Sequence, residues 1–180
     1  MAAPIRTDVA IRPYADGDHP LLVRLLGDPA MTVHLGGPES PDALRSRHER
    51  YLASEPSSGG IFTVLAEPER EPVGWIGYWR SSWDGEDVWE CGWHVLAHVQ
   101  GTGIATAATT LVLDRVVERG EYRYLHAFPS VDNAASNALC RRLGFECLGE
   151  TEVEYPKGRM MHANNWRYDL EGVAEPSRLR

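Results

Sequence analysis

Apolar positions along this chain fall into short runs of period two and period 3.6, separated by Gly, Pro and Asp turns. Val9-Ala10-Ile11-Arg12-Pro13 predicts a first strand, ended by the proline and the Asp16-Gly17-Asp18 turn. Leu21, Leu22, Leu25 and Leu26 then recur at helical spacing and predict a short amphipathic helix closing at Gly27. Gly36-Gly37-Pro38 breaks the chain before a polar helix over 41–52, for which Ser40 is the expected N-cap. Residues 55–60 read as a loop by composition. Strands follow over 61–67 and 73–80, joined by the turn between Pro68 and Pro72, and Asp84-Gly85 marks a hairpin into a strand over 87–96. Ile104, Ala108, Leu111, Val112 and Val116 return to helical spacing, with Gly120 where a C-terminal cap belongs. A strand over 122–128, a short helix from Asn133 to Gly144, and strands over 145–155 and 162–170 across Pro156-Lys157-Gly158 complete the pattern.

The order of elements is mixed α/β, with one crossover helix between strands that should therefore be parallel. No repeat, low-complexity block or linker divides the chain, so one domain is expected over 1–170, followed by a polar tail over 171–180. A hydrophobic content of 43% and a charged content of 24% are those of an ordinary globular domain. No apolar run reaches the roughly 20 residues of a membrane span, and no signal-peptide pattern opens the sequence, so a cytoplasmic protein with no membrane partner is expected. The three cysteines form no C-x-x-C pair, which argues against a disulfide framework or a structural zinc site; no metal is expected. A formal net charge of −8 argues against nucleic acid as a partner, since that binding rests on cationic patches. It leaves open whether the acidity favours a cationic substrate or serves solubility.

The candidate chemistry begins at Val99-Gln100-Gly101-Thr102-Gly103-Ile104-Ala105, between a predicted strand and a predicted helix. A glycine-rich turn opening a helix directs unpaired backbone N–H groups and the positive helix end at an anion. A Walker-type loop would need Gly-Lys followed by Ser or Thr, and a Rossmann fingerprint a third glycine where Thr106 stands; neither is present. The spacing matches Gln/Arg-x-x-Gly-x-Gly/Ala, filled by Gln100, Gly103 and Ala105. Further on, Asn133-Ala134-Ala135-Ser136-Asn137-Ala138-Leu139-Cys140-Arg141-Arg142-Leu143-Gly144-Phe145 reads as a helix capped by Asp132 or Asn133, with Gly144 in the left-handed C-terminal position.

In this order the two motifs resemble the cofactor-binding loop and second cofactor helix of the GCN5-related N-acetyltransferase (GNAT) superfamily. Glu90-Cys91-Gly92-Trp93, Asn133-x-x-Ser136 and Glu154-Tyr155 before a hairpin turn are most similar to the branch that acetylates ribosomal-protein N-termini. The resemblance implies a strongly bent mixed sheet of about seven strands with helices on both faces. It implies acetyl-CoA as co-substrate and a small-molecule or peptide amine as acceptor, with a homodimer as the assembly to look for. Backbone groups of Gln100, Gly101, Thr102, Gly103, Ile104 and Ala105 would hold the pyrophosphate. The strand edge at Trp93, His94 and Val95 would pair with the pantetheine amides, and a backbone N–H near its end would polarise the thioester oxygen. Asn133 would bond the pantetheine arm or serve only as a helix cap.

An alkylamine with a pKa near about 10.4 is roughly one part in a thousand neutral at pH 7.4, so a base matters. The resemblance points first to Glu154 as that base, and Glu90, on the strand that carries the thioester, is second. Either could be a solvated strand residue. His94, His98, His126 and His162 are further bases by chemistry, but no spacing singles one out. Many members carry a tyrosine acid where this chain has Cys140, a poor donor to a thiolate of similar pKa. The related branch would use Ser136 to stabilise the departing thiolate, with Cys140 as core filler. That departure keeps a second reading open, a non-catalytic acyl-CoA-binding regulatory domain. Tryptophan is abundant around 75–93, chiefly as expected core, with one or two rings free to line an acceptor pocket.

Overall fold

A computed structural model describes residues 9–172. Strand β1 (Val9–Pro13) leads through a short 3-10 turn to helices α1 (His19–Leu26) and α2 (Pro41–Leu52). Strands β2 (Gly59–Ala66), β3 (Glu71–Trp83) and β4 (Glu86–Val95) form a meander. Helix α3 (Ile104–Arg119) crosses over to β5 (Tyr124–Ala127), and α4 (Ala134–Arg142) precedes the hairpin of β6 (Glu146–Glu154) and β7 (Met160–Asp169). The seven strands form one sheet in the order β1-β2-β3-β4-β5-β7-β6. Among the described residues only β4 and β5 run parallel, as the α3 crossover requires.

Local signals account for the element ends. The Ser40 side chain accepts the Ala43 N–H at the start of α2, and the Asn133 side chain accepts the Ser136 N–H at the start of α4. Gly120 closes α3 with a φ of +62°, where a Cβ would be strained. After α4, Gly144 turns left-handed at φ +85° and the Phe145 N–H returns to the Cys140 carbonyl at 3.0 Å. The polar tail expected over 171–180 lies, from residue 173 onward, outside the described residues.

Several strand boundaries differ from the sequence reading by a few residues, two of them with a clear physical reason. The segment 55–60, expected to be all loop, becomes a 3-10 turn at Pro56–Ser58, and β2 already begins at Gly59. Gly59 pairs with Trp79, and a Cβ on it would sit 2.0 Å from the Tyr78 carbonyl oxygen. A glycine composition that reads as loop is here what lets two strands approach. Strand β3 also runs three residues past Arg80, because Ser81, Ser82 and Trp83 keep the ladder with Val88, Asp87 and Glu86.

Helices cover both faces. Trp75, Trp79 and Trp83 recur every fourth residue on β3 and share one face, where Tyr51 of α2 meets Trp75 at 5.7 Å between ring centroids. On the other face Arg115 and Arg119 of α3 lie over Phe62 and Trp89, each 4.9 Å from the ring centroid. Fully buried Leu22, Leu25, Ile76, Trp89, Val112, Val116 and Leu125 fill the core between these layers.

Candidate active site

The sheet opens at one point. Strands β4 and β5 pair only at Trp89↔Leu125 and Glu90↔His126, although β4 continues to Val95. Beyond Glu90, β4 is bonded on its β3 side alone, so its other edge is left open over Cys91–Val95. The chain after β5 bends at Phe128-Pro129 and rejoins β7 through the Asn164 N–H to Pro129 carbonyl bond (2.9 Å) and the Ser130↔Ala163 bridge. A wedge between two halves of the sheet results, with Glu90 at its apex.

Two cavities meet in this wedge. One of about 550 Å³ runs from the Gln100–Ala105 loop along β4 to the start of α4. The other, of about 390 Å³, lies over the tryptophan-bearing face of β3 and β4. Leu35, Trp93, His94, Asn133 and Ser136 line both, so the two form one channel.

At the outer end, Gly101 and Gly103 adopt φ of +75° and +94°, a bend that side chains resist. The first backbone bond into α3 is Ala107 N–H to Gly103 carbonyl at 2.9 Å, so the N–H groups of Ile104, Ala105 and Thr106 precede the intrahelical ladder. They stand at the positive end of a 16-residue helix. Gln100 contributes differently from what its motif suggests: its side-chain amide donates to the Val95 carbonyl at 3.1 Å and ties the loop to the end of β4. The Thr102 hydroxyl likewise donates to the Val99 carbonyl at 2.7 Å. Ile104 is buried in the core at 3% exposure, which leaves its backbone N–H as its contribution here. Arg142 was not singled out by sequence. It lines the same cavity with Nη1 3.4 Å from Thr106 Oγ1, bringing a cation beside the helix end. Its position in the last turn of α4 was the available signal.

Along β4, Trp93, His94 and Val95 line this groove, as expected of the strand edge. His94 Nε2–H donates to the Met31 carbonyl at 3.0 Å, and burial holds the imidazole below its ordinary pKa against that bond. Asn133 lines both cavities while capping α4 through its Oδ1. Ser136 also lines both. One turn later Cys140 has no exposed surface and lines neither cavity; burial pushes its thiol up to about 12. It is core.

The two expected carboxylates both line the inner cavity but in unlike settings. Glu90 accepts the Ser81 hydroxyl at 3.0 Å, and burial raises its pKa above the ordinary carboxylate value against hydrogen bonds from Ser81 and Trp79. Glu154 is exposed, and its Oε1 accepts the Gly158 N–H at 2.6 Å, bracing the β6–β7 turn. Of the remaining histidines, His126 is buried with Nδ1 2.7 Å from Asn165 Oδ1, while His98 and His162 stand near Glu71 and Glu150. Among the described residues no group of three His, Cys, Asp or Glu side chains converges to hold a metal.

Asn137 also escaped the sequence reading. Its Nδ2 donates to the Ser130 and Asn133 carbonyls at 2.9 and 2.8 Å, and its Oδ1 accepts from Asn164 Nδ2 and Trp166 Nε1, both at 2.8 Å. This one amide binds α4, and with it Asn133 and Ser136, to β7.

A family model described as an acetyltransferase (GNAT) domain matches residues 8–146. A search of curated protein sequences finds no match. Among solved structures, spermidine N-acetyltransferase from Vibrio cholerae, in complex with CoA and spermine, superposes with a TM-score of 0.73 at 16% identity, over 91% of this chain and 96% of that one. An acetyltransferase from Salmonella typhimurium that modifies the N-terminal serine of ribosomal protein L7/L12 gives 0.72 at 20% identity, over 93% and 97%. An aminoglycoside acetyltransferase in complex with coenzyme A gives 0.72 at 19%, over 93% and 100%. Likeness at these identities carries the fold and leaves the acceptor open.

Proposed function

Since the chain belongs to the GNAT acetyltransferase family, we propose that it transfers an acetyl group from acetyl-CoA to a primary amine, with Glu90 as the base. The observation that carries this reading is the wedge itself. It joins an anion-binding helix end to a desolvated carboxylate through one channel. The residues fit the co-substrate: N–H groups at the start of α3 and Arg142 face the place of a pyrophosphate, and the open edge of β4 can take up amides as an added strand.

In this reading the amine nitrogen attacks the thioester carbon, the C–S bond breaks and an amide forms. Glu90 receives the amine's proton, directly or through a water, and its raised pKa makes it a stronger base than a solvated carboxylate. A β4 backbone N–H polarises the carbonyl oxygen, and the Ser136 hydroxyl stabilises the sulfur as it acquires charge. Glu154, first by sequence resemblance, holds the turn beside the inner cavity and positions its rim.

The test compares Glu90→Gln with Glu154→Gln in a thiol-release assay across pH. Glu90 works only once its proton is gone, so kcat/KM rises with pH through a limb displaced upward from the ordinary carboxylate value. Glu90→Gln should lower turnover on the order of 10²-fold and abolish that limb, with acetyl-CoA affinity retained. A Glu90→Gln enzyme with normal turnover and an unchanged acidic limb refutes the assignment. If Glu154→Gln alone shows the loss, the base is Glu154.

A further inference from the structure

The inner cavity has an unusual wall. Trp75, Trp79 and Trp83 stand on one face of β3 at every fourth residue, and all three line it. The floor between them is Gly92, where a Cβ would lie 3.1 Å from Trp79 Cη2 and 3.6 Å from Trp75 Cη2. The absence of a side chain there lets the two indole tips converge beside Glu90. Trp83 continues the aromatic surface, packed on Phe128 at 5.1 Å and on His126 at 6.0 Å between centroids. Among the described residues, Glu90 and Glu154 are the carboxylates of the wall, and no lysine or arginine lines it.

Several polar groups of the wall are already bonded within the protein, while Trp75 Nε1 and His94 Nδ1 have no partner. The Ser81 hydroxyl donates to Glu90, the Asn133 Oδ1 takes the Ser136 N–H, the Ser130 carbonyl takes Asn137, and Glu154 takes the Gly158 N–H. A polyhydroxylated amine, or a peptide with successive amides, would leave many of its own polar groups without partners here. A linear polyamine would bring no ring to stack on the indoles, and its further ammonium groups would share one exposed carboxylate, Glu154. Behind Tyr155 of the wall, Arg47 bridges Glu39 and Tyr155, and Arg159 Nη1 donates to the Gly36 carbonyl at 2.7 Å.

From this we infer that the acceptor is a small arylalkylamine, one primary amine on an aromatic body, with the ring among the three indoles and the nitrogen at Glu90. The inference rests on the acetyltransferase reading above. Aromatic rings stack edge to face or offset on indoles, and the ammonium form is drawn to indole faces and to the carboxylate before it loses its proton. A volume of about 390 Å³ accommodates a two-ring amine.

The test is an acceptor panel with thiol release as readout: tryptamine, 2-phenylethylamine, butylamine, spermine, kanamycin, and hexapeptides with N-terminal alanine or serine. Tryptamine and 2-phenylethylamine should exceed spermine, kanamycin and the peptides in kcat/KM by at least about tenfold. Trp83→Leu should raise KM for tryptamine about tenfold and by more than KM for butylamine, and Trp83→Phe should restore much of the loss. Better turnover of spermine, kanamycin or a peptide overturns the arylalkylamine inference and leaves the acetyltransferase reading intact. Thiol release from no acceptor, with acetyl-CoA still bound in calorimetry, overturns both.

Discussion

Replacing Asn137 by leucine removes four hydrogen bonds, but their loss is unequal. The two carbonyls that receive its Nδ2 keep other donors: the Asn133 N–H reaches the Ser130 carbonyl at 3.0 Å, and the Asn137 backbone N–H reaches the Asn133 carbonyl at 3.0 Å. Asn164 is half-buried, so its amide can turn toward water. Trp166 cannot adapt in this way. It is 4% exposed, and its indole N–H has Asn137 Oδ1 as its partner. The main cost is thus one orphaned buried donor, about 1–3 kcal/mol. The other bonds add roughly 1 kcal/mol, partly offset by the apolar side chain, for an expected destabilisation of about 2–3 kcal/mol. At ~2–4 °C per kcal/mol for a domain of this size, the melting temperature should fall by roughly 4–12 °C. Urea unfolding should show a lower midpoint at unchanged m. A double-mutant cycle isolates the key contact: Trp166→Phe deletes the donor, so it should cost at least ~1 kcal/mol less in the Asn137→Leu background than alone. An Asn137→Leu protein within ~0.5 kcal/mol of the parent, or costs that simply add, would refute the reasoning.

Gly103→Glu introduces strain at a φ of +94° and a negative charge at the start of α3; acetyl-CoA affinity by calorimetry should fall at least about tenfold. Retained affinity in a folded variant would show that this helix end does not hold the pyrophosphate. Ser136→Ala should lower kcat while leaving acetyl-CoA affinity nearly unchanged, because its hydroxyl matters most when sulfur carries charge. Cys140→Ala should instead lower the unfolding midpoint with turnover largely kept, since its thiol is buried outside both cavities. An inactive Cys140→Ala beside a normal Ser136→Ala would reverse that division of roles.

Much of this protein is written locally. Ser40 and Asn133 as N-caps, Gly120 and Gly144 as left-handed ends, and the Asp84-Gly85 hairpin each act within a few residues, so the chain alone determined those element ends. The glycine turn before a helix likewise announced an anion site, because unpaired N–H groups are a property of any helix start. The tertiary structure decided what depends on which strands meet. That β4 and β5 part directly after Glu90 puts this carboxylate at the apex of the wedge, where burial raises its pKa, whereas Glu154, on an exposed strand, braces a turn. Ser136 and Cys140 look alike on a helix projection, yet packing against the sheet leaves one in the channel and seals the other in the core. Asn137 becomes a junction only because Trp166 and Asn164 arrive from β7, some thirty residues on. Propensity and capping are read over a few neighbours along the chain, whereas desolvation and hydrogen-bond satisfaction depend on groups that only folding brings together.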